Sequence, residues 1–144
     1  MAAGDPMTAL AVATTFLWLG MVVAISFLEA PLKFRAPDVT VRIGLGIGRI
    51  VFRALNVAEV ILAVLLAIGL LAGGPPRSAV LAPAVAIVIL LVQLIGIRPR
   101  LSRRSDAVLA GADAPRSKAH YGYIAAEVVK VLALLTAGIV LLMQ

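Results

Sequence analysis

The sequence has no cysteine and a single histidine, His120. The first absence excludes disulfides, thiolate metal ligands and a cysteine nucleophile. The second argues against a His-rich metal or haem site, so neither a metal nor another cofactor is expected. Charge is scarce too: Asp, Glu, Lys and Arg make up 14% of the chain, where an ordinary soluble domain carries about a quarter. Aromatic residues amount to 5% and do not interleave with the basic ones, so the formal charge of +6 is no footprint of nucleic-acid binding. No HExxH, GxSxG, P-loop or EF-hand pattern occurs, and the carboxylates lack the Glu-x-x-His spacing of di-metal bundles. These absences leave no recognisable nucleophile or metal set, and the expectation is a protein that is not an enzyme.

What is present is apolar. Of 144 residues, 62% are hydrophobic, and at roughly 20 residues per span that content suffices for four membrane crossings. The fold class expected is all-α: a polytopic four-transmembrane-helix bundle, one membrane domain over 1–144. Spans are expected at about 7–29, 50–72, 79–97 and 119–142. The first lacks a basic flank on its N-terminal side and is longer than a signal-peptide core, so it reads as a retained span. Trp18, in its middle, reads as a packing aromatic.

Pro31 and Pro37 mark the first loop, since each disfavours helix at the residue before it. Asp38 is a natural N-cap, which predicts a helix from near Val39 to the Gly73-Gly74-Pro75-Pro76 turn. Such a helix of about 34 residues, roughly 50 Å long, exceeds the bilayer core, so its first turns lie at or outside the interface.

Orientation follows from the cations. Lys33, Arg35, Arg42, Arg49 and Arg53 lie in and beside the first loop (about 30–49). Arg98, Arg100, Arg103, Arg104, Arg116 and Lys118 lie in the third (about 98–118), whereas the second holds only Arg77. By the positive-inside rule both basic loops are cytoplasmic, and both termini face the non-cytoplasmic side of a cell membrane. The partners expected are the lipid bilayer and either a second copy (a homo-oligomer) or another membrane protein, with no nucleic acid.

Ionisable groups inside spans are costly, about 2.5–3.5 kcal/mol on insertion scales, and tend to face the bundle interior with partners. Glu29 closes the first span. Glu59 and Glu127 sit at nearly equal depths in the second and fourth, and Gln93 lies near the inner end of the third. On the fourth span His120, Tyr123, Glu127 and Lys130 fall within an arc of about 80°, a polar stripe in which Glu127 and Lys130 can pair at i,i+3. Glu29, Glu59, Glu127, Lys130 and His120 are therefore the candidate proton or ion relay, with Arg53, Asn56, Gln93 and Tyr123 as supporting polar groups. A structural ion pair is the plainer explanation of Glu127 and Lys130. Arg42, Arg49, Arg53 and Asn56 share another arc, of about 60°, and Arg42 and Arg49 read as lipid-phosphate anchors. Gly44 and Gly48 form a small-xxx-small face for close helix approach. The runs Asn56-Val-Ala-Glu59 and Ile124-Ala-Ala-Glu127 suggest a weak internal repeat, which chance composition would also explain.

Phe27-x-x-x-Pro31-Leu-Lys-Phe-Arg-Ala-Pro37, Gly48-Arg-Ile-Val-Phe52 and His120-Tyr-Gly resemble motifs of the small four-helix membrane proteins of the transmembrane protein 205-like family. The positions carried over are Phe27, Pro31, Phe34, Arg35, Pro37, Phe52 and His120. The resemblance implies the four-helix bundle and brings no activity or cofactor; Glu59, Glu127 and the short third loop depart from its pattern. Two functions stay open: a non-enzymatic bundle packing with itself or a partner, and a proton-linked small-solute or ion transporter using the intramembrane glutamates.

Overall fold

The computed structural model describes residues 4–113 and 118–144; Arg116, counted above among the loop cations, lies outside them. Four helices are long and apolar enough to cross a membrane: α1 (Pro6–Arg35), α2 (Val41–Gly73), α3 (Arg77–Leu109) and α4 (Lys118–Leu142). The described residues contain no strand. Asp5 caps α1 by accepting from the Thr8 amide at 3.0 Å. The expected N-cap of α2, Asp38, has a left-handed backbone with φ 63°, and the cap is instead Thr40, whose hydroxyl accepts from Ile43 N–H at 3.2 Å. Gly74, at φ 61°, ends α2 by donating to the Leu70 carbonyl, and Pro75-Pro76 forces the reversal into α3, as the sequence predicts.

Of the two prolines expected to mark the first loop, Pro31 is instead carried within α1, whereas Pro37 lies in a turn as expected; Pro99 is likewise carried within α3. In α1 the backbone widens to a π-helix over Val23–Glu29, and in α3 over Gln93–Ile97. The Ala30 amide donates to the Ile25 carbonyl, and the Arg98 amide to the Gln93 carbonyl, each five residues back. Each wide turn lies just ahead of a proline, Pro31 or Pro99, whose ring would clash with the carbonyl four residues before it and which has no N–H to donate. Widening relieves the clash, so α1 reaches Arg35 and α3 reaches Leu109 where loops were expected from about 30 and 98.

α2 packs on α1, α3 packs on α4, and α2 meets α3 more lightly. α1 also packs on α4, which closes a ring of four helices. α2 and α4 run in the same direction, as two tandem hairpins require. The buried apolar core comprises Ala11, Trp18, Val22, Leu62, Leu66, Leu70, Ala86, Leu90, Leu134 and Leu141, among others. The outer surface is aliphatic: Leu71, Ile95 and Ile50 are 86%, 77% and 73% exposed. Apolar groups outside and charged groups inside is the arrangement a lipid solvent selects.

Close approach of α2 to α1 depends on glycine. A Cβ on Gly69 would lie 3.0 Å from the Met7 carbonyl and 3.1 Å from the Ala11 amide, and this backbone can yield only if the helices separate. Gly69→Val is expected to destabilise the bundle by about 1–3 kcal/mol, read as a lower melting temperature in neutral detergent; an unchanged melting temperature would contradict this packing. The Gly44 and Gly48 face expected to admit a neighbouring helix receives side chains instead: Phe34 lies over Gly44 and the Lys33 ammonium over Gly48.

Candidate functional site

All four helices place a polar group at one level of the bundle. At its centre is Lys130 of α4, which has no exposed surface. Its ammonium contacts Glu59 of α2, the Glu127 carboxylate at 2.6 Å and the Gln93 side-chain carbonyl of α3 at 2.7 Å. Three donors meet three acceptors. The Gln93 amide nitrogen donates in turn to Glu127 Oε1 at 2.7 Å, so both ends of that side chain are used. From α1 the Trp18 indole N–H donates to Glu59 Oε1 at 3.0 Å, and the Ser26 hydroxyl to Glu127 Oε2 at 2.5 Å. Glu59 and Glu127 are each 1% exposed and Gln93 2%.

Ser26 lies within the π-helical segment of α1, and Gln93 at the start of that of α3. Glu127 and Lys130 share a face of α4 by i,i+3 spacing. Fully ionised, two carboxylates and one ammonium leave the cluster one negative charge in excess. A single proton would neutralise it, and burial in a medium of low dielectric makes that difference large.

The cluster is not sealed. A cavity of about 700 Å³ opens from the end of the bundle that carries the basic segments, and Ser26, Tyr123 and Glu127 are among its lining residues. Its walls carry Lys33, Arg49, Arg53, Arg98 and Arg104. Arg98 donates to the Phe52 carbonyl at 3.3 Å and to Asn56 Oδ1 at 3.2 Å, tying α3 to α2. Its guanidinium lies against the rings of Phe52 and Tyr123, 4.6 Å and 5.1 Å from their centroids. Arg49 pairs with Asp106 at 2.5 Å, but with both side chains about half exposed the pair adds little stability.

Of the candidate relay, Glu59, Glu127 and Lys130 are brought together. Glu29 is not: it pairs with Lys33 along its own helix at 3.4 Å. His120 lines the cavity and packs edge-on against Tyr121 at 5.8 Å, outside the cluster. Among the supporting groups, Gln93 is a full member, Tyr123 and Asn56 form wall, and Arg53 lies exposed at the cavity. Arg42 is exposed, as a lipid anchor would be, whereas Arg49 has the Asp106 partner just described. Sequence reasoning missed Trp18 as a donor, Ser26, and Arg98 as more than a loop cation. One signal was present: a mid-span tryptophan must find an acceptor for its indole N–H, and Glu59 is the acid of the neighbouring span. The described residues hold no group of three or more metal-ligating side chains. Compared with models of known protein families, with curated proteins and with solved structures, the chain matches none.

Proposed function

We propose that this is a non-enzymatic, multi-pass protein of the cell membrane that moves a small solute linked to a proton, with Glu127 as the proton-carrying group. The observation that supports this reading is the position of Glu127. It belongs at once to the buried ion cluster and to the wall of the cavity, so a proton arriving from solvent has a route to a group whose charge the cluster must balance. The groups facing Glu127 are Lys130 on its own helix, Ser26 on α1 and Gln93 on α3; Glu59 on α2 lies behind Lys130. Tyr123, Arg98, Lys33 and His120 flank it in the cavity. Protonation of Glu127 would release Lys130 to Glu59 and Gln93, a rearrangement involving α2, α3 and α4. By the distribution of Lys and Arg, the cavity opens to the cytoplasm and both termini lie outside. The bilayer is then the principal partner, and the likeness to the transmembrane protein 205-like family belongs to the same reading.

A second reading has an observation of its own. Glu59, Gln93 and Lys130 are enclosed and mutually paired behind Trp18, as a cluster would be that only fixes helix register in a bundle packing with itself or a membrane partner. Liposomes loaded with a pH-sensitive dye and given a panel of small polar solutes separate the two. The wild type is expected to show solute-dependent internal pH change, and Glu127→Gln to slow it at least tenfold while the protein still incorporates. Equal rates in both proteins, with lower thermal stability of the variant, would replace the carrier with the structural bundle.

A further inference from the structure

The cavity has a marked charge imbalance. Among its described lining residues five are lysine or arginine, and Glu127 alone is acidic. Two of the cations are already answered, Lys33 by Glu29 and Arg49 by Asp106. Arg98 is not: it lies half-buried with no carboxylate in ion-pair range among the described residues, held only by neutral acceptors and two aromatic rings. Among the described residues its buried Nε has no hydrogen-bond partner. Arg53, on the same wall, also has no carboxylate partner among the described residues. A guanidinium withdrawn from water and left without a counter-ion is costly, and the planar fork of arginine matches the oxygens of a carboxylate or phosphate.

The remaining wall mixes neutral polar groups, Asn56, Ser102 and Ser105 among them, with an apolar portion that includes Phe27, Phe34 and Ile124. The space, about 700 Å³, falls within the roughly 300–1,000 Å³ typical of small-molecule sites. We infer that the cavity binds an organic oxyanion, a phosphate or carboxylate on an apolar body, with its charge on Arg98 and Arg53 and its apolar part against the phenylalanines. This rests on the carrier reading above and names the solute: an organic oxyanion that enters beside Glu127. A lipid headgroup and a free metabolite offer the same chemistry, and the experiment separates them.

Phenyl phosphate serves as the probe, titrated calorimetrically into the full chain in maltoside micelles, which contain no phosphate. Saturable binding is expected, with Kd raised at least tenfold in Arg98→Gln and about threefold in Arg53→Gln. Arg77→Gln, at the far end of the bundle, should leave it unchanged, and phenyltrimethylammonium should not bind. Arg53 is exposed, so its variant stays informative even if Arg98→Gln fails to fold. Added phosphatidylglycerol that competes with the probe in an Arg98-dependent manner assigns the site to lipid headgroups and supports the inference; failure to compete assigns it to a soluble anion. No binding, or equal Kd values in wild type, Arg53→Gln and Arg98→Gln, overturns it. If binding follows the arginines while Glu127→Gln leaves proton flux unchanged, the anion site stands and the carrier falls.

Discussion

Lys130→Met is expected to destabilise the bundle by about 3–5 kcal/mol, the loss typical when one partner of a buried ion pair is removed. In purified protein this should appear as a melting temperature lower by on the order of 10 °C. The side chain has no exposure, and its ammonium is the shared donor of Glu59, Glu127 and Gln93. Methionine matches its length but not its charge, so two carboxylates would remain buried close together with no cation between them. The cost comes from those stranded groups more than from the missing attraction, since the desolvation of a buried pair offsets much of its Coulombic gain. It follows that Lys130→Met/Glu59→Gln/Glu127→Gln, which removes every charge from the cluster, should recover most of the stability. Lys130→Met melting with the wild type would sink this account, and so would a triple variant less stable than the single one.

The second large effect belongs to Trp18. It is fully buried, and its indole N–H donates to Glu59. Trp18→Ala is expected to destabilise by about 3–5 kcal/mol. In lipid that cost arises less from the hydrophobic effect than from the dispersion attraction forfeited by the side chains lining an unfilled void. Trp18→Phe keeps most of the volume and deletes the donor to a charged acceptor, for which about 1.5–3 kcal/mol is expected. The comparison is informative in both directions. A phenylalanine variant as stable as wild type would mean that the hydrogen bond adds nothing, and one as unstable as Trp18→Ala would mean that packing adds nothing. Thermal unfolding of the three proteins side by side decides it.

Much of the architecture was legible because lipid constrains sequence so strongly. The four apolar runs, the glycine-proline turn after α2 and the similar depths of Glu59 and Glu127 all follow from length, periodicity and position. The i,i+3 pairing of Glu127 with Lys130 is a property of one helix and needs no fold to be seen. Helix bounds near the prolines were less legible. Pro31 looks like a break, but a transmembrane helix that cannot leave its backbone groups unsatisfied widens locally rather than ending, and α3 does the same ahead of Pro99.

That widening marks the line between the two kinds of information. By itself the sequence determined that the chain forms an all-α bundle, where its cations lie relative to its spans, and that two glutamates, a glutamine and a lysine are placed inside it, because burying charge in an apolar run is too costly to occur without a partner. Only the tertiary structure decided which partners. Ser26 and Gln93 meet Glu127 from two other helices, Glu59 meets Lys130 across a helix interface, Glu29 stays with Lys33, and Arg98 is drawn in from what reads as a loop to line a cavity. Rotation of one helix against another is set by the packing of all four at once, and no single span encodes it.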